Sequence, residues 1–184
     1  MPLELGVWRI DQGLKSVEFS QLDIESRLED MFDKNINIAS PNWLVIGRQV
    51  RTDYGTIIDL LALDRDANIV VIELKRDKTP RDIIAQVLDY GSWVSELKGD
   101  RVAQIFDDYQ KRWHSDSVQL SIDQAFSEKF KMLMPDEIND NHELVIVASS
   151  LDTSTERIVR YLADEYGVRI NAIFFRVFKD EGRE

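Results

Sequence analysis

Hydrophobic and polar positions change period several times along this chain of 184 residues, and each change marks an element. Ser20-Gln21-Leu22-Asp23 has the form of a capping box, and Ile24, Leu28, Met31 and Phe32 then recur at helical spacing. An amphipathic helix is predicted over 21–33. Pro41-Asn42 restarts the chain, and three apolar runs follow: Trp43 to Arg51, Thr56 to Leu63, and Ile69 to Lys75. They are joined by the turn Asp53-Tyr54-Gly55 and by a polar loop over 64–68. Connections that short join strands only in antiparallel order, so the runs predict a three-strand meander.

Thr79-Pro80-Arg81-Asp82 reads as a helix start, with Thr79 as cap and Pro80 in the first helical position. Ile83, Val87, Tyr90, Val94 and Leu97 carry the helical period to about residue 97. Further helices are expected over 100–112 and 121–133, the second closed by Pro135. Glu143 to Ser149 has the unbroken apolar character of a buried strand. Thr153-Ser154-Thr155-Glu156 forms a second capping box for a helix to Glu165; Gly167 ends it, and Val168 to Phe178 predicts a last strand. There is no internal repeat and no linker. The pattern defines an α/β chain with a mixed β-sheet, an antiparallel three-strand meander and flanking helices. It is expected to be a single domain over 1–184, with a core about 20–97 and 142–178 and a helical insert about 98–141.

Two acids break the apolar runs. Asp59 stands inside "GTIIDLLAL" and Glu73 inside "IVVIELK". If Leu63 faces Ile69 across the polar loop, Asp59 falls opposite Glu73, with Cβ atoms ~5 Å apart on one face of the sheet. Lys75, two residues beyond Glu73, projects from the same face. An isolated acid and lysine in a strand is an ordinary ion pair. One amine, however, cannot neutralise two buried carboxylates, whereas a divalent cation can. With oxygen ligands and no nearby His, the ion expected is a hard one, Mg²⁺ or Mn²⁺.

Composition adjusts this picture at two points. The chain contains no Cys, which excludes disulfides and thiolate metal sites and suits a reducing cytoplasm. No run has the form of a signal peptide or a membrane span, so a soluble cytoplasmic protein without membrane contact is expected. The formal net charge of −11 argues against general binding to polyanions. That charge is unevenly placed: residues 48–81 carry +1 and the remainder −12.

Gly55-x-x-x-Asp59, Glu73-x-Lys75 and Gln86-x-x-x-Tyr90 on the following helix, in that order, resemble the PD-(D/E)xK nuclease superfamily, most closely its RecB-like and NucS-like branches. The resemblance implies a restriction-endonuclease-like core. It further implies a metal-dependent DNA nuclease acting in repair or in defence against foreign DNA, with Asp59 and Glu73 as Mg²⁺ ligands and Lys75 positioning the attacking water. Glu25 is the candidate acid on the first helix, with Glu29 as its rival, and Gln86 and Tyr90 would support the site or contact DNA. Ile58 stands where the motif often has Pro. NucS-type enzymes carry a separate N-terminal DNA-binding region, and the roughly twenty residues before the first helix are expected to leave no room for it. Substrate form and cutting mode therefore do not carry over. The alternative is a non-catalytic nuclease-fold module used for binding or assembly. The resemblance to such nucleases is compatible with a homodimer, although no segment announces an interface.

Arg76, Lys78 and Arg81, with Arg48 and Arg51, either meet phosphates or form solvated charge runs. His114 and His142 read as surface residues, and Trp8, Trp43 and Trp93 as core. Trp113 reads as a packing anchor at a helix end, with base stacking as the other option.

Overall fold

The computed structural model describes residues 7–10, 13–20, 25–79 and 81–179. In chain order the elements begin with two strands, β1 (Val7–Arg9) and β2 (Lys15–Ser20), then helix α1 (Glu25–Lys34) and a short turn of 3-10 helix at Ile36–Ile38. The predicted meander follows as β3 (Leu44–Arg51), β4 (Ile57–Leu63) and β5 (Ile69–Leu74). Next come β6 (Lys78–Thr79), α2 (Asp82–Val94), α3 (Gly99–Trp113), α4 (Ile122–Phe130), β7 (His142–Ala148) and β8 (Ser150–Leu151). Helix α5 (Thr153–Tyr166) and strands β9 (Ile170–Phe174) and β10 (Val177–Lys179) complete the order.

A five-stranded mixed sheet, ordered β3-β4-β5-β7-β9, is the centre of the fold. β3, β4 and β5 are antiparallel, whereas β7 joins β5, and β9 joins β7, in parallel. Leu63 pairs with Ile69, and the ladder continues through Leu61–Val71 to Leu60–Ile72. Every residue of β5 is buried, as are all but the first of β4, which is why both strands read as unbroken apolar runs. α1 packs against β4 and β5, α2 against β5 and β7, α3 and α4 against β3, and α5 against β9. The closeness of α3 to β3 depends on Gly47 at a bulge, because a Cβ there would come within 3.1 Å of Ile105 Cγ2 and 2.5 Å of Val50 Cγ2.

Several expectations are corrected. Thr79 does not cap α2: its backbone pairs with Leu151 in the parallel β6–β8 ladder, and the helix opens at Asp82. Pro80 lies outside the described residues, as do residues 21–24 of the first predicted capping box. The cap of α5 is Asp152 rather than Thr153, since its carboxylate accepts from the Ser154 and Thr155 amides and outcompetes a hydroxyl there. α4 stops at Phe130, where Lys131 adopts a left-handed conformation, four residues before Pro135. The last predicted strand is two strands, β9 in the main sheet and β10 paired with β2.

β1, β2 and β10 form a separate antiparallel sheet that was not predicted, although Val17 and Phe19 alternate with Ser16, Glu18 and Ser20 as a half-buried strand requires. Trp8 belongs to it and is 53% exposed, so it is not a core residue. Trp43 and Trp93 are buried as expected. Among the described residues no helix is long and apolar enough to cross a membrane.

Candidate active site

The meander is built so that its acids meet. The β4–β5 ladder ends at Leu60–Ile72, one residue short of Asp59 and Glu73. Beyond that point the Asp59 carboxylate takes over the role of a strand partner: Oδ2 accepts the Leu74 N–H at 2.8 Å. Its other oxygen, Oδ1, accepts from Gln49 Nε2 at 3.2 Å. Glu73 is 1% exposed and Asp59 9%. Lys75 Nζ donates to Glu73 Oε1 at 2.7 Å; Glu73 Oε2 is buried with no N–H or hydroxyl donor among the described residues, so only a proton shared with the adjacent Asp59 carboxylate or a cation would satisfy it.

Electrostatics follow from this crowding. Burial first, and then the Asp59 charge beside it, push Glu73 up to about 8. Burial also raises Asp59, against the Leu74 amide and the Lys75 ammonium, which favour its anion. Burial disfavours the Lys75 ammonium, but Glu73, Asp59 and Glu25 outweigh it and hold that amine above its ordinary range. At neutral pH the site therefore retains a proton on its acids or carries more negative charge than one lysine offsets. The Asp59–Glu73 pair with its unpartnered oxygen fits a hard divalent cation. Among the described residues no three His, Asp or Glu side chains form a metal-binding group.

Glu25, at the first turn of α1, reaches this end of the sheet. Oε1 lies 3.6 Å from Lys75 Nζ and Oε2 accepts the Arg76 N–H at 3.1 Å. Its rival Glu29 is buried against Arg48 at 3.4 Å, and Met31 of the predicted apolar stripe is 37% exposed. The Tyr90 hydroxyl donates to the Ile57 carbonyl at 2.5 Å, and Gln86 Nε2 donates to the Tyr90 oxygen at 2.7 Å. This pair ties α2 to the start of the strand that carries Asp59. Tyr90 is buried and does not present itself to DNA.

The basic residues separate into different environments. Arg48 is not available to phosphates: it is buried, bridges Glu29, Asp30 at 2.7 Å and Asp33, and lies 4.1 Å from the Trp113 ring centroid. Arg76 bridges Asp77, and Arg81 Nη2 donates to Ser154 Oγ at 3.3 Å. Arg51 is exposed, and the Lys78 side chain lies outside the described residues. His114 is not a plain surface residue, because its Nε2 is 2.8 Å from the Tyr109 hydroxyl, which itself donates to Asp33. His142 is half-buried, and burial lowers its pKa.

Gln49 is the site residue that reading the chain missed. It has a φ of 51° within β3, a left-handed conformation unusual for a non-glycine residue, and this aligns its amide with Asp59. No residue type or spacing announces such a conformation.

A mixed sheet that brings an acid pair and a lysine together where an antiparallel ladder ends is the architecture of the restriction-endonuclease-like class. Residues 24–118 match the endonuclease NucS C-terminal domain, and the chain belongs to that family. It is similar to the endonuclease NucS of Pyrococcus horikoshii, 31% identical over 81 residues, which covers 44% of this chain and 32% of that protein. Similarity to the endonuclease NucS of Sulfolobus acidocaldarius is 31% over 84 residues, covering 46% and 33%. Among solved structures it resembles a repair endonuclease from Pyrococcus abyssi with a TM-score of 0.49 and 17% identity, over 85% of this chain and 50% of that one. The chain spans about a third of the length of the curated relatives it matches.

Proposed function

We propose that the chain is a Mg²⁺- or Mn²⁺-dependent DNA nuclease hydrolysing phosphodiester bonds, in repair or in defence against foreign DNA. The observation that carries the reading is the buried Asp59–Glu73 pair, served by a single amine and left with an unpartnered oxygen on Glu73. Family membership supports it. Asp59 and Glu73 would hold the cation, with Glu25 one amine away as a further acid. The chemistry such an ion would supply there is polarisation of the phosphate and compensation of developing negative charge.

The chain's own groups do the rest. Lys75 is held on Glu73 and kept charged, so its ammonium can orient a water molecule toward phosphorus and stabilise negative charge at that oxygen. The Leu74 amide and Gln49 hold both Asp59 oxygens, fixing the carboxylate's plane. Gln86 and Tyr90 act as positioning residues by anchoring Ile57, two residues before Asp59.

Purified protein should be offered single-stranded, duplex, flapped and mismatched DNA with Mg²⁺ or Mn²⁺, beside Lys75→Ala and Glu73→Gln. Cutting by the wild type that both variants lose supports the reading. Cutting that survives both would remove the site. No cutting of any substrate, together with no rise in melting temperature on adding either ion, would favour a non-catalytic module.

A further inference from the structure

The edge strand β3 and helix α3 line a recess of about 220 Å³ beside the candidate active site. Gln49 lines it while its amide reaches Asp59, so the recess and the carboxylates share a wall. The α3 side contributes Arg101, Asp108 and Arg112, whose spacing keeps them near one helical face, and Trp113 at the helix end. Arg51 contributes from β3. From Arg101 to Arg112 the helix advances roughly 16 Å.

This surface is basic in a chain of net charge −11. Arg101 is shared with Asp53 at 3.7 Å, but Arg51 and Arg112 make no ion pair among the described residues. Arg112 lies 5.1 Å from the Trp113 ring centroid, where stacking on the indole orders an otherwise free side chain. Arg48 is stacked on the same ring, so Trp113 serves as a mount for guanidinium groups more readily than as a platform for a base. The volume falls below the roughly 300–1,000 Å³ of pockets that enclose a small molecule. An open recess edged by arginines from two elements suits contact with a sugar–phosphate backbone instead.

We propose that the β3–α3 recess binds the backbone of one nucleic-acid strand as it runs past the carboxylate site, with Arg51 and Arg112 meeting its phosphates. At about 3.4 Å of helix axis per nucleotide, the roughly 16 Å from Arg101 to Arg112 suits about four to five nucleotides. The proposal rests on the nuclease reading for its ligand, yet it can be tested apart from cutting. It also bears on how an acidic chain meets a polyanion: two arginines outside any ion pair among the described residues stand in one recess next to the site.

The test is equilibrium binding of fluorescein-labelled single-stranded and duplex DNA in EDTA across a NaCl series. The variants are the full chain with Arg51→Ala and Arg112→Ala together, and a control with Arg157→Ala and Arg160→Ala. The control residues are exposed on α5, beyond the opposite edge of the sheet, and remove equal charge. The recess pair should weaken binding on the order of tenfold and flatten the slope of log K against log salt by about two, one for each phosphate left without its arginine. The control should do neither, and Arg112→Lys should retain the wild-type slope. Asp108→Asn, which removes the one acid lining the recess, should tighten binding.

Equal losses in both double variants, or no binding by the wild type, would overturn the proposal. Binding that needs Arg51 and Arg112 in a chain that cuts no DNA would leave it standing and remove the nuclease reading. Cutting by the wild type with unaltered binding in the recess variant would remove only the recess.

Discussion

Two clusters of buried charge adjoin α1, and they obey opposite rules. Around Arg48, one guanidinium meets Glu29, Asp30 and Asp33, Asp33 also takes the Tyr109 hydroxyl, and Trp113 covers the group from one side. Around Lys75, one ammonium meets Glu73 and approaches Glu25, while a Glu73 oxygen is left with no partner. Both clusters outnumber their cation with acids. The first spreads the excess over donors, with Asp30 half-exposed to water; the second confines it next to Asp59. Burial of charge alone therefore does not mark a reactive site. What sets the proposed site apart is an unsatisfied acceptor where like charges are forced together.

Breaking each cluster should produce opposite outcomes. In the Lys75 cluster, Lys75→Ala or Glu73→Gln should lower DNA cleavage on the order of a thousandfold, the scale expected for a positioned proton-transfer or charge-stabilising group. Single-turnover cleavage measures this. Glu73→Gln should at the same time raise the melting temperature at alkaline pH, because it removes a buried charge. In the Arg48 cluster, Arg48→Ala strands Glu29 and Asp33 without their cation and should destabilise the chain by roughly 3–5 kcal/mol in denaturant unfolding. A stable Arg48→Ala protein, or a less stable Glu73→Gln protein, would undo the contrast.

The pH dependence of stability sharpens it further. Glu73 lies at about 8 in the folded chain against an ordinary value of 4.5, so the folded state binds its proton more tightly than the unfolded state does. The stabilisation this supplies is complete below about 4.5 and is lost as pH rises through about 8. Wild-type stability should thus decline across that window, by an amount on the order of a few kcal/mol. The decline should be largely absent from Glu73→Gln. Denaturant midpoints at intervals between pH 4 and 9 check this, and equal slopes in the two proteins would contradict it.

The same contrast shows what could be read from the chain beforehand. The meander and its register were legible because a short polar loop between two apolar runs leaves few pairings, and Leu63–Ile69 is the observed one. Asp59 and Glu73 followed from that register. The Arg48 cluster was not legible, since its acids lie on a helix and its cation on a strand, brought together only by tertiary packing. Helix starts were misplaced where a stronger competitor stood nearby: the Asp152 carboxylate for Thr153, and the β8 backbone for Thr79. The recess between β3 and α3 depends on a bulge at Gly47 and on helix placement, and neither has a local signal.

The smallest expected effect concerns Gln49, which lies between the two clusters. Its φ of 51° is strained for a residue with a Cβ, at roughly 1–2 kcal/mol, and its side chain serves an acid of each cluster, Asp59 and Glu29, favouring the anion of the latter. The conformation delivers the amide to Asp59 Oδ1 while keeping the side chain beside Glu29. Gln49→Gly should relieve the strain and leave stability unchanged or slightly higher, while freeing one Asp59 oxygen and lowering cleavage by about tenfold, the scale of one hydrogen bond to a charged group. Gln49→Ala loses the same bond but keeps the strain, so it should match the glycine variant in cleavage and fall below it in stability. If both variants cut DNA like the wild type, the strained conformation serves the fold and not the carboxylate. If they differ from each other in cleavage, backbone shape rather than the amide holds Asp59 in place.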